Sequence, residues 1–438
     1  MAIRGSLARR KYLHIILPLF IGSLLAYLDR LNLSYAALTM NEQLGFSAEV
    51  FGMGAGILFA GYVLFEIPGS VYAEKKSPSK WLVRIMVTWG LSCALMAFIK
   101  TPGQFYIVRF LIGAAEASFY PVCYSVIIPR WFNMKERPAA LSIMVTSLIV
   151  SSIIGAPLAG LLIGLDLDFA LFTLHGWQIL FLLEGVLAVG FGIFLLYWLK
   201  DWPKDAKWMT EEERKATMEE YEQEVAAKSS VKQYTIWQVF ADKTVIKLCL
   251  IYFLWISGFW AFGFWLPTVL RSVSGLSNSG VSFLTLVPMT IGLIGFIING
   301  VTASKSGKLK RHIATPLFIG AFGMAAGTFT SNPTLSLIFI SITCLGVYIG
   351  QGCWWSVPTT FLSGSAAAAA TALINSIGNI GGWVGPYLVG FSQTSTGSYQ
   401  MAYLILAASL AIAGVLTLTL KDKSSAVSGV NIEKENAI

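Results

Sequence analysis

The chain has 438 residues, of which 12% are charged and 55% hydrophobic, with a mean hydropathy of +0.68. A soluble domain carries about 25% charged residues, so this composition excludes one: too few charges are present to cover a surface in water, and lipid is the remaining solvent. The net charge of +8 does not mark a nucleic-acid binder, because the basic residues form no stripe with interleaved aromatics and sit at the ends of apolar segments.

A membrane-spanning helix needs about 20 mainly apolar residues. Twelve segments meet this: 12–38, 49–73, 81–100, 103–130, 138–164, 177–198, 243–270, 279–303, 312–332, 334–358, 365–391 and 399–420. The first follows Arg4, Arg9, Arg10 and Lys11 and outlasts a signal-peptide core, with no A-x-A site behind it, so it reads as an uncleaved span. Basic loops alternate with the rest. Lys75, Lys76, Lys80 and Arg84 follow the second segment, Arg130, Lys135 and Arg137 the fourth, and Lys305, Lys308, Lys310 and Arg311 the eighth. The intervening loops hold Glu42, Glu49, Asp166, Asp168 and one notable cation, Arg271. This alternation places both termini in the cytoplasm and requires an even number of spans.

The expected fold is an all-α membrane protein of twelve transmembrane helices in two six-helix half-bundles. Residues 1–198 form the first bundle, 199–242 a cytoplasmic linker, 243–420 the second bundle and 421–438 a cytoplasmic tail. In the linker, Thr210-Glu211-Glu212-Glu213 is a capping-box pattern opening a solvated helix to about Lys228. Pro129 and Pro157 are separated by the same interval as Pro358 and Pro386, in corresponding segments of the two halves. With the layout, that favours two parallel half-bundles around a central site. The pairs Gly160/Gly164, Gly346/Gly350 and Gly381/Gly385 suit close helix packing in lipid.

No nucleotide-binding, nucleophile or metal motif is present, so the expectation is neither an enzyme nor a cofactor protein. Cys93, Cys123, Cys249, Cys344 and Cys353 stand singly in apolar stretches as packing residues, and His14, His175 and His312 are too scattered to hold zinc.

What stands out is charge inside apolar segments: Asp29 and Arg30, Glu66, Arg109 and Glu116, and Glu184. Each costs ~2.5–3.5 kcal/mol or more at mid-membrane, which disfavours any lipid-facing position. Arg109 and Glu116 lie two helical turns apart on one face, and Arg30 and Arg109 reach comparable depths, so two guanidiniums facing one cavity would make a fork for a carboxylate or similar oxyanion. Burial disfavours an ionised carboxyl, which makes Asp29 and Glu116 natural proton carriers. The rival reading is that these four residues neutralise one another as structural ion pairs. Glu66 and Glu184 read as gating or structural. The second half offers tryptophans and amides instead, among which Asn375, Gln351, Trp354 and Trp355 are candidates for holding the body of a ligand.

At these residues a resemblance enters. Tyr27-Leu-Asp29-Arg30-Leu-Asn32, Glu66-Ile-Pro68, Arg109-Phe-Leu-Ile-Gly113-Ala-Ala-Glu116, His175-Gly-Trp177, Trp265-Leu-Pro267 and Asn375-Ser-Ile-Gly-Asn379 span nearly the whole chain. Together they resemble the anion:cation symporter family of the major facilitator superfamily, which includes bacterial permeases for tartrate, phthalate, hydroxyphenylacetate and galactonate. The resemblance implies proton-coupled uptake of a small organic acid by alternating access across a bacterial inner membrane. It implies that Asp29 and Glu116 carry protons, that Arg30 and Arg109 govern the anion, and that Tyr27, Tyr62 and Asn375 contact substrate. Two departures stand: the loop after the second span has Glu74 where the superfamily has Asp, and Pro358 falls where a galactonate transporter has Trp, with Trp354 and Trp355 a turn away. The expected ligand is a hydroxy acid, an aromatic acid or a sulfonate, the expected coupling ion a proton, and the expected assembly a monomer in lipid. The alternative is a passive anion uniporter or exchanger without proton coupling.

Overall fold

In the computed structural model, the described residues are 2–134, 136–169, 173–229, 242–355, 357 and 364–420. Pro358, Lys135, the end of the linker and the tail after 420 fall outside them.

In the first half, α1 is Leu7–Leu44, α2 Ala48–Lys75, α3 Pro78–Phe98 and α4 Pro102–Trp131. Then come α5 (Arg137–Leu162), a hairpin of β1 (Asp166–Asp168) and β2 (Thr173–His175), and α6 (Gly176–Trp198). The linker carries α7 (Glu211–Ser229). In the second half, α8 is Lys243–Ser274, α9 Asn278–Ser306, α10 Leu309–Gly327, α11 Pro333–Trp354, α12 Gly364–Thr396 and α13 Gln400–Leu418.

Helix ends follow ordinary chemistry. Ser47, Ser77, Thr101 and Asn332 cap α2, α3, α4 and α11 by accepting backbone N–H bonds with their side chains. Gly45 (φ 66°) and Gly275 (φ 65°) close α1 and α8 in the left-handed conformation that a side chain disfavours. Among the described residues, ten helices are long and apolar enough to cross a bilayer; α10 and α12 occupy the two other segments predicted to span.

Three expectations need correction. The first helix runs well beyond 12–38, because its polar ends continue the hydrogen-bond ladder on either side of the apolar stretch. The ninth predicted segment, 312–332, stops at Gly327, ahead of the Asn332 cap. The loop after α5 also forms a two-stranded hairpin that the all-α reading did not contain.

Within the first half, α3 packs along α6, α2 along α4 and α1 along α5; within the second, α8 packs along α12 and α10 along both α11 and α13. The halves meet along α2 and α12, α1 and α8, and α5 and α9. At the α2–α12 seam the backbones nearly touch. A Cβ on Gly52 would sit 2.5 Å from the Pro386 carbonyl oxygen, and one on Gly390 2.3 Å from that of Ala48. Gly381 and Gly385 likewise let α12 approach α8, whereas Gly160 and Gly164 meet side chains rather than backbone.

The linker helix is docked on the first half. Thr210 and Glu213 form the predicted capping box, with Glu213 accepting from the Thr210 N–H at 2.9 Å. Arg10 pairs with Glu213 at 2.5 Å, and Arg137 donates to both oxygens of Glu224 at 2.6 Å. Glu213's carboxyl is held below the ordinary range by that N–H and by Arg10.

Candidate functional site

The site is built where α1, α2 and α4 of the first half face α8 and α12 of the second. Arg30 reaches Glu116 with a fork: Nε donates to Oε2 at 3.1 Å and Nη2 to Oε1 at 2.7 Å, both side chains being buried. This bidentate geometry is specific to arginine. The guanidinium carbon lies 5.1 Å from the Tyr62 ring centre and 5.7–5.9 Å from those of Trp260, Tyr27, Phe59 and Tyr120. A cation at this range is attracted by ring faces, so the cage holds Arg30 without a second acid. Trp260 comes from α8, which places the pair at the seam between the halves.

A break in α4 that the predicted continuous segment did not contain follows directly on Glu116. Regular helix ends at Glu116, and Ser118 takes φ 72°, a left-handed conformation that strains any residue with a Cβ. The Ser118 hydroxyl donates to the Ala117 carbonyl and accepts from Trp81 Nε1 at 2.9 Å, which replaces part of the lost ladder. Irregular backbone at membrane depth is tolerated only where protein or a cavity surrounds it. The chain resumes with Phe119, bringing Tyr120 into the cage.

The predicted two-arginine fork is not formed. Arg109 is completely buried within the first half, and its Nε donates to the Gly54 carbonyl at 3.2 Å. One turn on, the backbone of α2 packs so closely on Gly113 that a Cβ would lie 1.9 Å from the Leu58 carbonyl oxygen. Glu116 pairs with Arg30 on α1, the kind of ion pair that the rival reading named.

Asp29 belongs to Arg109's neighbourhood. It accepts from Cys93 Sγ at 2.8 Å and Trp89 Nε1 at 3.2 Å and senses the Arg109 charge. Glu184 accepts from Asn32 nearby, and the ligand atoms of Asp29, Cys93 and Glu184 all lie within 4.8 Å of one another. Those three side chains are the set geometrically able to surround a cation among the described residues, but the neighbouring guanidinium opposes a cation there.

Glu66, expected to gate or to be structural, is buried at the seam. It bridges the halves, accepting from Asn375 Nδ2 at 2.7 Å and Ser376 Oγ at 3.1 Å, both on α12. Glu74 points to solvent, and its carbonyl accepts from Arg130 at 3.4 Å.

On the opposite wall, Tyr252 stacks on Trp354 at 5.4 Å and meets Trp355 edge-on at 5.1 Å. Trp354 is fully buried between Tyr252 and Trp255, Trp355 is half-buried and Gln351 buried. Sequence reasoning passed over Phe59, Tyr120, Tyr252 and Ser376. Tyr120 follows an invisible backbone break, and a lone ring or serine in an apolar helix carries no signal. A cavity of about 220 Å³ lies elsewhere in the second half, among Phe262, Met324, Ile340 and Tyr403, and includes none of the predicted site residues.

Two half-bundles meeting on a buried, caged Arg–Glu pair, with apolar spans on all sides, define a membrane transporter rather than an enzyme. The chain belongs to the Major Facilitator Superfamily, whose profile matches residues 19–386. A chain from Agrobacterium vitis named "Putative tartrate transporter" is 38% identical over 397 residues, covering 90% of each. A "Quinolone resistance transporter" of Acinetobacter baumannii is 32% identical over 94% of each chain. Further relatives are named for sulfoacetate and hexuronate, a range that fits the anion:cation symporter family. The fold matches that of a bacterial homologue of the human lysosomal transporter Spinster, crystallised in an inward-facing conformation, with a TM-score of 0.71 and 17% identity over 92% of this chain and 94% of that one. Several of this chain's relatives are named as organic-acid transporters, and the chain is a multi-pass protein of the bacterial inner membrane.

Proposed function

We propose that the chain takes up a small organic acid together with protons, by alternating access of its halves around Arg30, with twelve spanning helices and both termini in the cytoplasm. The observation that carries this reading is the buried Arg30–Glu116 pair in its aromatic cage. The pair is neutral as it stands. An incoming carboxylate, sulfonate or similar anion needs the guanidinium, and taking it leaves Glu116 as a second buried negative charge without its partner. Separating one partner of a buried pair costs ~3–5 kcal/mol, which protonation of Glu116 removes. Anion and proton therefore bind together, and by linkage each raises the affinity for the other.

Asp29, tied to Arg109 behind the site, is the second proton carrier in this reading. Tyr27, Tyr62 and Asn375 line the ligand's path, and Trp355 and Gln351 shape its far wall. The relatives' names point to hydroxy acids and sulfonates, and the rings around Arg30 also admit an aromatic acid.

The test is uptake of labelled tartrate, sulfoacetate and hydroxyphenylacetate into proteoliposomes, with and without a pH gradient. Gradient-driven accumulation of one acid is expected. Uptake of equal rate and extent without a gradient would favour the uniporter or exchanger instead.

A further inference from the structure

Beyond the Arg30–Glu116 pair, the seam holds a second carboxylate whose partners are donors that an anionic ligand would also use. Glu66 lies on α2, one turn past Tyr62, and is buried between the halves. Its two oxygens take the Asn375 amide at 2.7 Å and the Ser376 hydroxyl at 3.1 Å, both from α12, and it senses the charge of Arg30. Tyr62 spans the distance: its ring is 5.1 Å from the Arg30 guanidinium and its hydroxyl is within electrostatic reach of Glu66.

We propose that Glu66 is a tethered competitor of the transported acid: in the empty site its carboxylate occupies the Asn375 and Ser376 donors that the substrate's own acid or hydroxyl groups require. This rests on the organic-acid reading above. The chemistry is a simple exchange of acceptors, since a buried amide and hydroxyl must keep a partner whether or not ligand is present. Glu66 supplies one when the site is empty, and the ligand supplies one when it is full.

The position of the bridge gives the exchange a consequence for motion. Further along the α2–α12 seam, away from the linker, the contacts are backbone against backbone at Gly52, Gly56 and Gly390, with the Glu49 N–H on Thr394 Oγ1 at 3.0 Å at the far end. The Glu66 bridge lies nearer the linker end than the Glu49–Thr394, Trp383–Met53 and Tyr387–Glu49 contacts, and it is the one of these made by a buried carboxylate. A ligand that takes Asn375 therefore removes the polar rung that ties α2 to α12 and frees the seam to part. Specificity follows too, because a ligand lacking an acceptor for Asn375 cannot repay the broken bridge.

The experiment compares wild type, Glu66→Ala, Glu66→Gln and Asn375→Ala in detergent, with binding of tartrate, sulfoacetate and hydroxyphenylacetate measured by calorimetry. Glu66→Ala is expected to bind the accepted acid about tenfold more tightly, since a hydrogen bond to a charged group no longer has to be broken. Glu66→Gln should fall between Glu66→Ala and wild type, Asn375→Ala should weaken binding, and adding Glu66→Ala to Asn375→Ala should then gain less than it does in wild type, because only Ser376 is left to release. A second measurement needs no ligand: Met53→Cys, in a chain with its own cysteines replaced, reports opening of the far end through labelling by an impermeant maleimide. Glu66→Ala should label several-fold faster than its parent. Acid binding by wild type with unchanged or weaker binding by Glu66→Ala would overturn the competition alone, as would unchanged labelling. Failure of the wild type to bind any of the three acids would overturn the organic-acid reading and the competition with it.

Discussion

The two halves of the bundle treat polarity in opposite ways. The first concentrates charge: Asp29, Arg30, Glu66, Arg109, Glu116 and Glu184 are all buried, and each has a hydrogen-bond partner. The second presents rings and amides to the same seam, through Tyr252, Trp260, Trp355, Asn375 and Ser376. Charge that is to be exchanged against a ligand needs rigid, precharged surroundings, because reorganising them at low dielectric is costly. Ring faces and amides adapt to the body of the ligand at less expense. The division between exchange and fit can be broken or sharpened residue by residue.

The sharpest contrast lies within the first half, between its two arginines. Arg109→Ala removes a fully buried guanidinium that donates to the Gly54 carbonyl and lies within electrostatic reach of Asp29. Both Arg109→Ala and Arg30→Ala should lower the thermal midpoint in detergent, the latter because it strips buried Glu116 of its ion-pair partner, but only Arg30→Ala should lose acid binding. An Arg109→Ala protein as stable as wild type yet unable to bind acid would restore the two-arginine fork.

In the second half the contrast is between neighbouring tryptophans. Trp354→Ala removes a fully buried ring stacked on Tyr252 and should cost ~3–5 kcal/mol of stability. Trp355→Ala, from a half-buried position, should shift the order in which acids compete for uptake while changing the thermal midpoint little. Unaltered competition in Trp355→Ala would remove it from the site.

The smallest effect is expected at the linker. Glu213's carboxyl sits below its ordinary range in the folded chain, so its contribution is present above the unfolded value and fades as pH falls through the folded one. Docking of α7 should therefore loosen only under acid conditions below the usual carboxylate range, visible as faster amide exchange in 211–229. Glu213→Gln should abolish that acid dependence.

Much of the polar inventory was legible because a charge in an apolar segment is costly and therefore visible one residue at a time. Asp29, Arg30, Arg109 and Glu116 all announce themselves so, and the capping box at Thr210 is equally local. Their pairing was not legible. Which acid meets Arg30 depends on how α1 packs on α4, and Arg109's bond to Gly54 on how closely α2 approaches α4, contacts between residues far apart in the sequence. Glu66 shows the same limit: its position in α2 can be read, but its partners lie 309 and 310 residues away. Trp354 and Trp355 are adjacent letters with different burial, set by the end of α11.

The most direct measurement of the central claim uses Glu116→Gln, which imitates the protonated acid and keeps its shape. Counterflow and pH-driven accumulation are followed in the same proteoliposomes with the acid that the wild type accepts. If Glu116 is the proton-exchanging partner of Arg30, the variant binds and exchanges the acid across the membrane but cannot concentrate it, and its affinity loses most of its pH dependence. Full gradient-driven accumulation by Glu116→Gln would contradict the exchange and leave the Arg30–Glu116 pair a structural tie.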